Sequence, residues 1–148
     1  MIDFYCSGIT QSIAELAAFK FQTLGKQCNI FTNVNEHYVM STKNTKRISI
    51  ILSFTGANSS ALSCAKKLKV IHEYMIGIGG QGSNKLNDYC TEYITIYDKE
   101  NVYSLEMMNV SISMSYILDV LFVSLMVKDY KQHLDHSIEV ENTFYKAE

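Results

Sequence analysis

The tightest constraint on this chain is the run Ile48-Ser49-Ile50-Ile51-Leu52-Ser53, followed directly by Phe54-Thr55-Gly56-Ala57-Asn58-Ser59-Ser60. A near-continuous stretch of β-branched and aliphatic residues suits a central strand of a parallel sheet, covered on both faces. A parallel strand reaches its neighbour through a crossover rather than a hairpin. The small polar residues after Ser53 read as the turn into such a crossover. Behind them Ala61, Leu62, Ala65 and Leu68 recur at helical spacing.

The rest of the chain alternates in the same way, which predicts βαβ units and a parallel sheet. Ile2 to Cys6 reads as a short strand and Ser7-Gly8-Ile9-Thr10 as a turn. Ile13, Ala17, Phe21 and Leu24 mark a helix that Gly25 ends as an αL cap. Cys28 to Phe31 is a second strand, Asn33 to Lys43 a helix of mixed polarity, and Glu73 to Gly79 a strand. A loop from Gly80 to Asn84 and a short helix from Lys85 to Tyr89 follow, then a strand from Thr91 to Tyr97. Leu105 to Lys128 is a long helix, apolar on nearly every side. Such a helix is expected to be buried from several directions, and a subunit interface would supply part of the cover. The tail from His133 is polar with scattered apolar residues. The expected organisation is one domain over residues 1–130, with 131–148 as its helical extension or tail.

A chain of 148 residues can bury roughly two-thirds of its unfolded surface without a disulfide or metal staple. Its net charge of -2 lacks the basic excess of a DNA-binding module. Cys6, Cys28, Cys64 and Cys90 lie far apart without zinc-ligand or redox spacing, so reduced, mostly buried thiols in a cytoplasmic protein are expected. No basic segment precedes an apolar one at the N-terminus. The apolar stretch from Tyr116 to Val127 falls short of the ~20 residues that span a bilayer, so no membrane partner is expected.

Ligands of open parallel sheets bind beyond the carboxyl ends of the strands. Two such ends carry small hydroxyl and glycine residues: Ser7-Gly8-Ile9-Thr10-Gln11-Ser12 and Ser53-Phe54-Thr55-Gly56-Ala57-Asn58. Each precedes a helix, where unpaired N–H groups and the helix dipole favour an anion. Gly56 lets backbone approach a ligand, Ser53 and Thr55 can donate to phosphate oxygens, and Asn58 can cap the helix or donate from its amide. The same residues also serve as ordinary caps and turns. Neither loop has the G-x-G-x-x-G spacing, and no Walker motif occurs. Gly77, Gly79, Gly80 and Gly82 are glycine-rich without a lysine in the Walker position.

Glu106, Glu15, His37 and His72 are the groups available for acid–base work, with Glu106 the best placed for a base. A charged residue at a helix start is also simply favoured by the dipole. His133 and His136 share a helix face but lack further ligands, so no metal and no cofactor is expected. Lys66, Lys67 and Lys69, and Lys43, Lys46 and Arg47, read as solvated faces.

In their flanks the loops resemble a known family. The residues are Gly8-Ile9-Thr10, Ala14 through Lys20, Leu24-Gly25-Lys26, Ile50 to Gly56, and Tyr74 to Gly79 with Ser83 and Leu86. The chain resembles the SIS (sugar isomerase) domain. Its likeness is to the effector domain of RpiR-type sugar-phosphate-responsive transcription regulators, with Asp119-Val120-Leu121-Phe122 matching that variant. The resemblance implies a flavodoxin-like α/β/α sandwich around a five-stranded parallel sheet, a homodimer, and a phosphosugar site. By motif position it implies phosphate binding by Ser53, Thr55 and Asn58 with the backbone of Phe54 and Gly56, and sugar contacts from Ser7, Gly8 and Thr10. Cys6, Thr55, Asn58, Ser60, Val110 and Ser111 depart from the residues common in the family. A sensor would reach DNA only through a helix-turn-helix domain that this chain lacks. The alternative is an aldose–ketose isomerase of sugar phosphates.

Overall fold

The computed structural model describes residues 1–71, 74–80, 85–97 and 103–146. Five strands form one parallel sheet: β1 (Ile2–Tyr5), β2 (Cys28–Phe31), β3 (Ile48–Ser53), β4 (Met75–Gly80) and β5 (Glu92–Ile96), in the order β2-β1-β3-β4-β5. The helices are α1 (Ile9–Thr23), α2 (Glu36–Ser41), α3 (Ser59–Val70), α4 (Tyr103–Lys128) and α5 (Tyr130–Phe144). β3 lies in the middle of the sheet, as its sequence demands, and its residues from Ser49 to Ser53 are buried.

The two-residue period of the strands splits the core into two layers. Phe4, Ile50, Leu52 and Ile78 face α1 and α4, where Ala14, Ala17, Phe21, Val110, Met114 and Leu118 meet them. Tyr5, Ile51 and Met75 face α3, where Ala61, Cys64, Ala65 and Leu68 meet them. Small residues on α1 and α3 let both helices lie close to the sheet. The result is the expected α/β/α sandwich.

Several local expectations need correction. α2 is shorter than the polar stretch around it suggests. Asn35 caps it by accepting from the Tyr38 N–H, and the Thr42 N–H closes it on the Tyr38 carbonyl. Residues 85–89 form turns rather than a helix. Leu86 is fully buried among the residues facing α3, and its N–H is drawn to the Gly56 carbonyl at 3.2 Å instead of into a helical ladder. Arg47 is not on a solvated face. Its side chain is 1% exposed, and its guanidinium lies 3.7 Å from the buried Asp3 carboxylate. Asn29 and Tyr38 donate to the same carboxylate at 2.9 and 3.1 Å, which supplies the partners a buried charge requires.

α4 differs most from its expected environment. Among the described residues only one stripe, Val110, Met114 and Leu118, is fully covered, whereas Met108, Ile112, Tyr116 and Val127 stand more than half exposed. Leu105–Lys128 is long and apolar enough to cross a membrane by length and composition, because the apolar stretch extends well beyond Tyr116 to Val127. Within the domain it is instead docked on α1 and the sheet, and an ion pair from Lys20 to Asp119 at 2.5 Å ties the two helices. The tail forms α5, whose His133 is buried and whose His136 ring lies against Gly25. Gly25 has φ 71°, the αL conformation expected at the end of α1.

Candidate functional site

The chain leaves β1 toward β2 and leaves β3 toward β4, on opposite sides of the sheet. The β1/β3 boundary is therefore the point where strand order reverses, and such sheets open a crevice there. Tyr5, Cys6, Ser7, Thr32, Ser60 and Cys64 line a crevice of about 10 Å³ at this place, room for about one water molecule. Of the first loop singled out in the sequence, Ser7 lines it; on the other side it is Ser60, Ala61 and Cys64 of α3 that line it, not Ser53 to Asn58. The strand order sets both loops at the carboxyl ends of adjacent strands, Ser7, Gly8 and Thr10 after β1 and Ser53 to Asn58 after β3.

The β1–α1 loop is a tight turn that Thr10 closes on itself. The Thr10 hydroxyl accepts from the Ser7 N–H at 3.1 Å and donates to the Ser7 carbonyl at 2.9 Å. Thr10 is buried, Ser7 half-buried and Gly8 exposed. Gly8 occupies the N-cap position of α1 at φ 61°, without a side-chain cap.

The β3–α3 loop is held from more directions. The Gly56 N–H reaches back to the Ser53 carbonyl at 3.4 Å, while the Phe54 carbonyl accepts from Gly80 N–H and the Gly56 carbonyl from Leu86 N–H, each at 3.2 Å. Gly56 has φ 70°, a conformation other residues reach only with strain. The exposed Thr55 hydroxyl accepts from the Ala57 N–H at 3.2 Å, which leaves its proton to donate elsewhere. Asn58 caps α3 with its side-chain oxygen, which takes the N–H groups of Ser60 and Ala61. An anion at this end therefore meets the helix dipole and the loop's own donors rather than those two amides. The Asn58 amide nitrogen remains the atom able to donate.

Ser53 closes β3 and is 2% exposed, yet its hydroxyl has no hydrogen-bond partner among the described residues. Burial pushes the neighbouring Cys6 thiol up to about 11, with Glu15 and Cys64 adding to the rise. That thiol stays protonated and unreactive at neutral pH. Among the described residues no cluster of His, Cys, Asp and Glu could hold a metal ion. His72, and the stretch Gln81 to Asn84 with Ser83, lie outside the described residues.

Sequence reasoning missed Tyr93. This β5 residue pairs with Gly77 across the sheet, and its hydroxyl donates to the Gly80 carbonyl at 2.9 Å. A Cβ on Gly56 would sit 2.5 Å from the Tyr93 hydroxyl oxygen, and one on Gly79 would sit 2.8 Å from it. The available signal was the alternation Gly77, Gly79, which leaves one face of β4 bare and calls for a large neighbour.

Comparison with known proteins agrees with this architecture. The SIS domain model matches residues 1–124. The sugar isomerase domain of an RpiR transcription factor from Sphaerobacter thermophilus superimposes with a TM-score of 0.75 at 10% identity, over 95% of this chain and 78% of that one. The NanR protein of Vibrio vulnificus, complexed with ManNAc-6P, gives 0.74 at 14% identity. All of this chain is matched there, but it spans 57% of the Vibrio chain. A Methanococcus jannaschii protein, for which 3-hexulose-6-phosphate isomerase function is inferred, gives 0.67 at 18% identity over 91% and 75%. No match is found among curated proteins. A family model that covers residues 1–124, on a sheet of this strand order with its loops at the switch point, places the chain in the SIS domain family.

Proposed function

We propose that this chain is a phosphosugar-binding domain that acts as a sensor. Ser53, Thr55 and Asn58 donate to the phosphate together with the backbone of Phe54 and Gly56. Ser7 and Gly8 face the sugar, with Thr10 fixing the shape of their turn. One observation carries the reading: the Ser53 hydroxyl is buried at the carboxyl end of the central strand without a partner among the described residues. An unmade hydrogen bond of this kind costs about 1–3 kcal/mol. A bound oxyanion would remove that cost. The crevice is too small for a sugar, so the ligand would lie above it, across the two loops. The ligand named for the Vibrio protein, ManNAc-6P, supports the chemical class.

The sensor acts as a cytoplasmic homodimer and reaches DNA through a separate helix-turn-helix domain. What supports the dimer is the bare face of α4 at Met108, Ile112 and Tyr116, with the exposed Leu16 of α1 beside α4 at Ser115 and Asp119. A helix face with several large apolar residues exposed is normally covered. Sedimentation should give twice the chain mass, and a stable monomer at micromolar concentration removes this part of the reading.

A melting screen over hexose, pentose and amino-sugar phosphates tests the ligand. Mass action raises stability by about 2.7 kcal/mol at a hundred times Kd, so one member should raise the melting temperature by several degrees while its unphosphorylated sugar does not. The isomerase reading draws on neighbours such as the Methanococcus protein. Turnover of the bound sugar phosphate that vanishes in Glu106→Ala would decide for it.

A further inference from the structure

The glycine-rich end of β4 has no part in the proposed ligand contacts, and it carries no Walker lysine. Its purpose becomes visible from the strand beside it. Gly77 and Gly79 point to the same face of the sheet by the two-residue period, and Tyr93 lies across both. A Cβ on Gly77 would come within 2.7 Å of both the Tyr93 ring and Cys90 Sγ, and a Cβ on Gly79 within 2.8 Å of the Tyr93 hydroxyl oxygen and closer still to the Ser53 carbonyl. The two glycines thus leave room for the Tyr93 side chain as well as for the Ser53 carbonyl and Cys90, and an aromatic residue over glycine is a pairing known to stabilise strands.

The ring points along β4 toward its carboxyl end. There its hydroxyl donates to the Gly80 carbonyl, and it lies close beneath Gly56, in the loop proposed to hold phosphate. Gly80 and Phe54 are themselves linked, N–H to carbonyl, and Leu86 N–H holds the Gly56 carbonyl. Tyr93 therefore touches both strands of the clamp that shapes the loop. We propose that Tyr93 is a positioning residue: its hydroxyl fixes the end of β4, and through it the Ser53–Asn58 loop, in the conformation that receives the ligand. The inference rests on the phosphosugar reading for its ligand, and on the geometry alone for the loop.

Tyr93→Phe separates this role from simple core filling, because the ring that packs on Gly77 and Gly79 remains. The first readout needs no ligand. Amide hydrogen exchange at Gly80 and Leu86, whose N–H groups bind the loop, should quicken by about tenfold, the effect of losing one buried hydrogen bond. Exchange in β1 should stay unchanged, as should the melting temperature to within a few degrees. Unchanged exchange at Gly80 and Leu86 overturns the proposal. The second readout is the affinity of glucose 6-phosphate, ribose 5-phosphate and inorganic phosphate for wild type and variant. A Kd raised about tenfold in Tyr93→Phe, for any probe the wild type binds, supports the role, and an equal Kd overturns the link to the ligand. If the wild type binds none of a full sugar-phosphate panel while exchange still quickens, the phosphosugar reading fails and the hold on the loop stands.

Discussion

The two loops at the switch point look alike in sequence and differ in construction. Each runs from a buried strand into a helix through a hydroxyl residue and a glycine of positive φ, Gly8 at 61° and Gly56 at 70°. A Cβ on Gly8 would meet nothing within 4 Å, whereas one on Gly56 would press on the Tyr93 hydroxyl and on the Gly80 carbonyl at 2.8 Å. Asn58 caps α3 with two bonds, and Gly8 offers α1 no side-chain cap. The β3–α3 loop is thus built into the sheet. The β1–α1 loop is closed from within, by Thr10 on Ser7 and by the Gln11 N–H on the Gly8 carbonyl, and faces open space at Gly8. A rigid cradle for the invariant part of a ligand and an open lip for its variable part would need this division.

Alanine at the two glycines is the most severe way to break that comparison. Gly8→Ala meets backbone strain alone, about 1–3 kcal/mol. Gly56→Ala meets the same strain and an overpacked contact, which adds about 1–3 kcal/mol. At about 3 °C per kcal/mol for a domain of this size, thermal melts should show Gly56→Ala losing roughly twice as much as Gly8→Ala. Equal losses would mean that the crowding beneath Gly56 relaxes freely and that the loops are alike after all.

How much of this was readable beforehand follows from which interactions are local. β2 and β3 fall where the apolar runs end, and the αL glycine after α1 lies at Gly25, because strand burial and caps are written in neighbouring residues. The two loops were also found from local signals, small polar residues between a strand and a helix. Arg47 was misplaced because its partner, Asp3, lies 44 positions away, and nothing beside Arg47 announces a buried carboxylate. Leu86 looked helical because its hydrogen bond goes to Gly56 rather than along its own segment. Tyr93 stayed invisible for the same reason. Its meaning depends on the pairing of β5 with β4, and a tyrosine in a strand is otherwise unremarkable. The all-round apolar composition of α4 implies burial from several directions. Among the described residues the chain alone covers one stripe, Val110, Met114 and Leu118, and the remainder is the surface proposed to meet a second copy.

The smallest expected change in stability belongs to the residue with the largest proposed role. Ser53→Ala removes a hydroxyl that is buried and unpartnered among the described residues. Losing a polar atom that makes no bond removes its desolvation cost, so the variant should melt within about 1 kcal/mol of wild type, or slightly above it. Ser7→Ala, in the half-buried loop, should also be close to neutral in stability. Binding distinguishes the pair. A hydrogen bond to a charged oxygen is worth about 1.5–3 kcal/mol, so Ser53→Ala should weaken the sugar phosphate by at least tenfold and weaken inorganic phosphate by a similar factor. Ser7→Ala should weaken the sugar phosphate and leave inorganic phosphate unchanged, because its proposed contact is to the sugar. If both variants affect the two probes alike, the loops share the ligand without dividing it. If Ser53→Ala is destabilised by several kcal/mol, the hydroxyl has a partner within the fold, and the observation that carries the functional reading is lost.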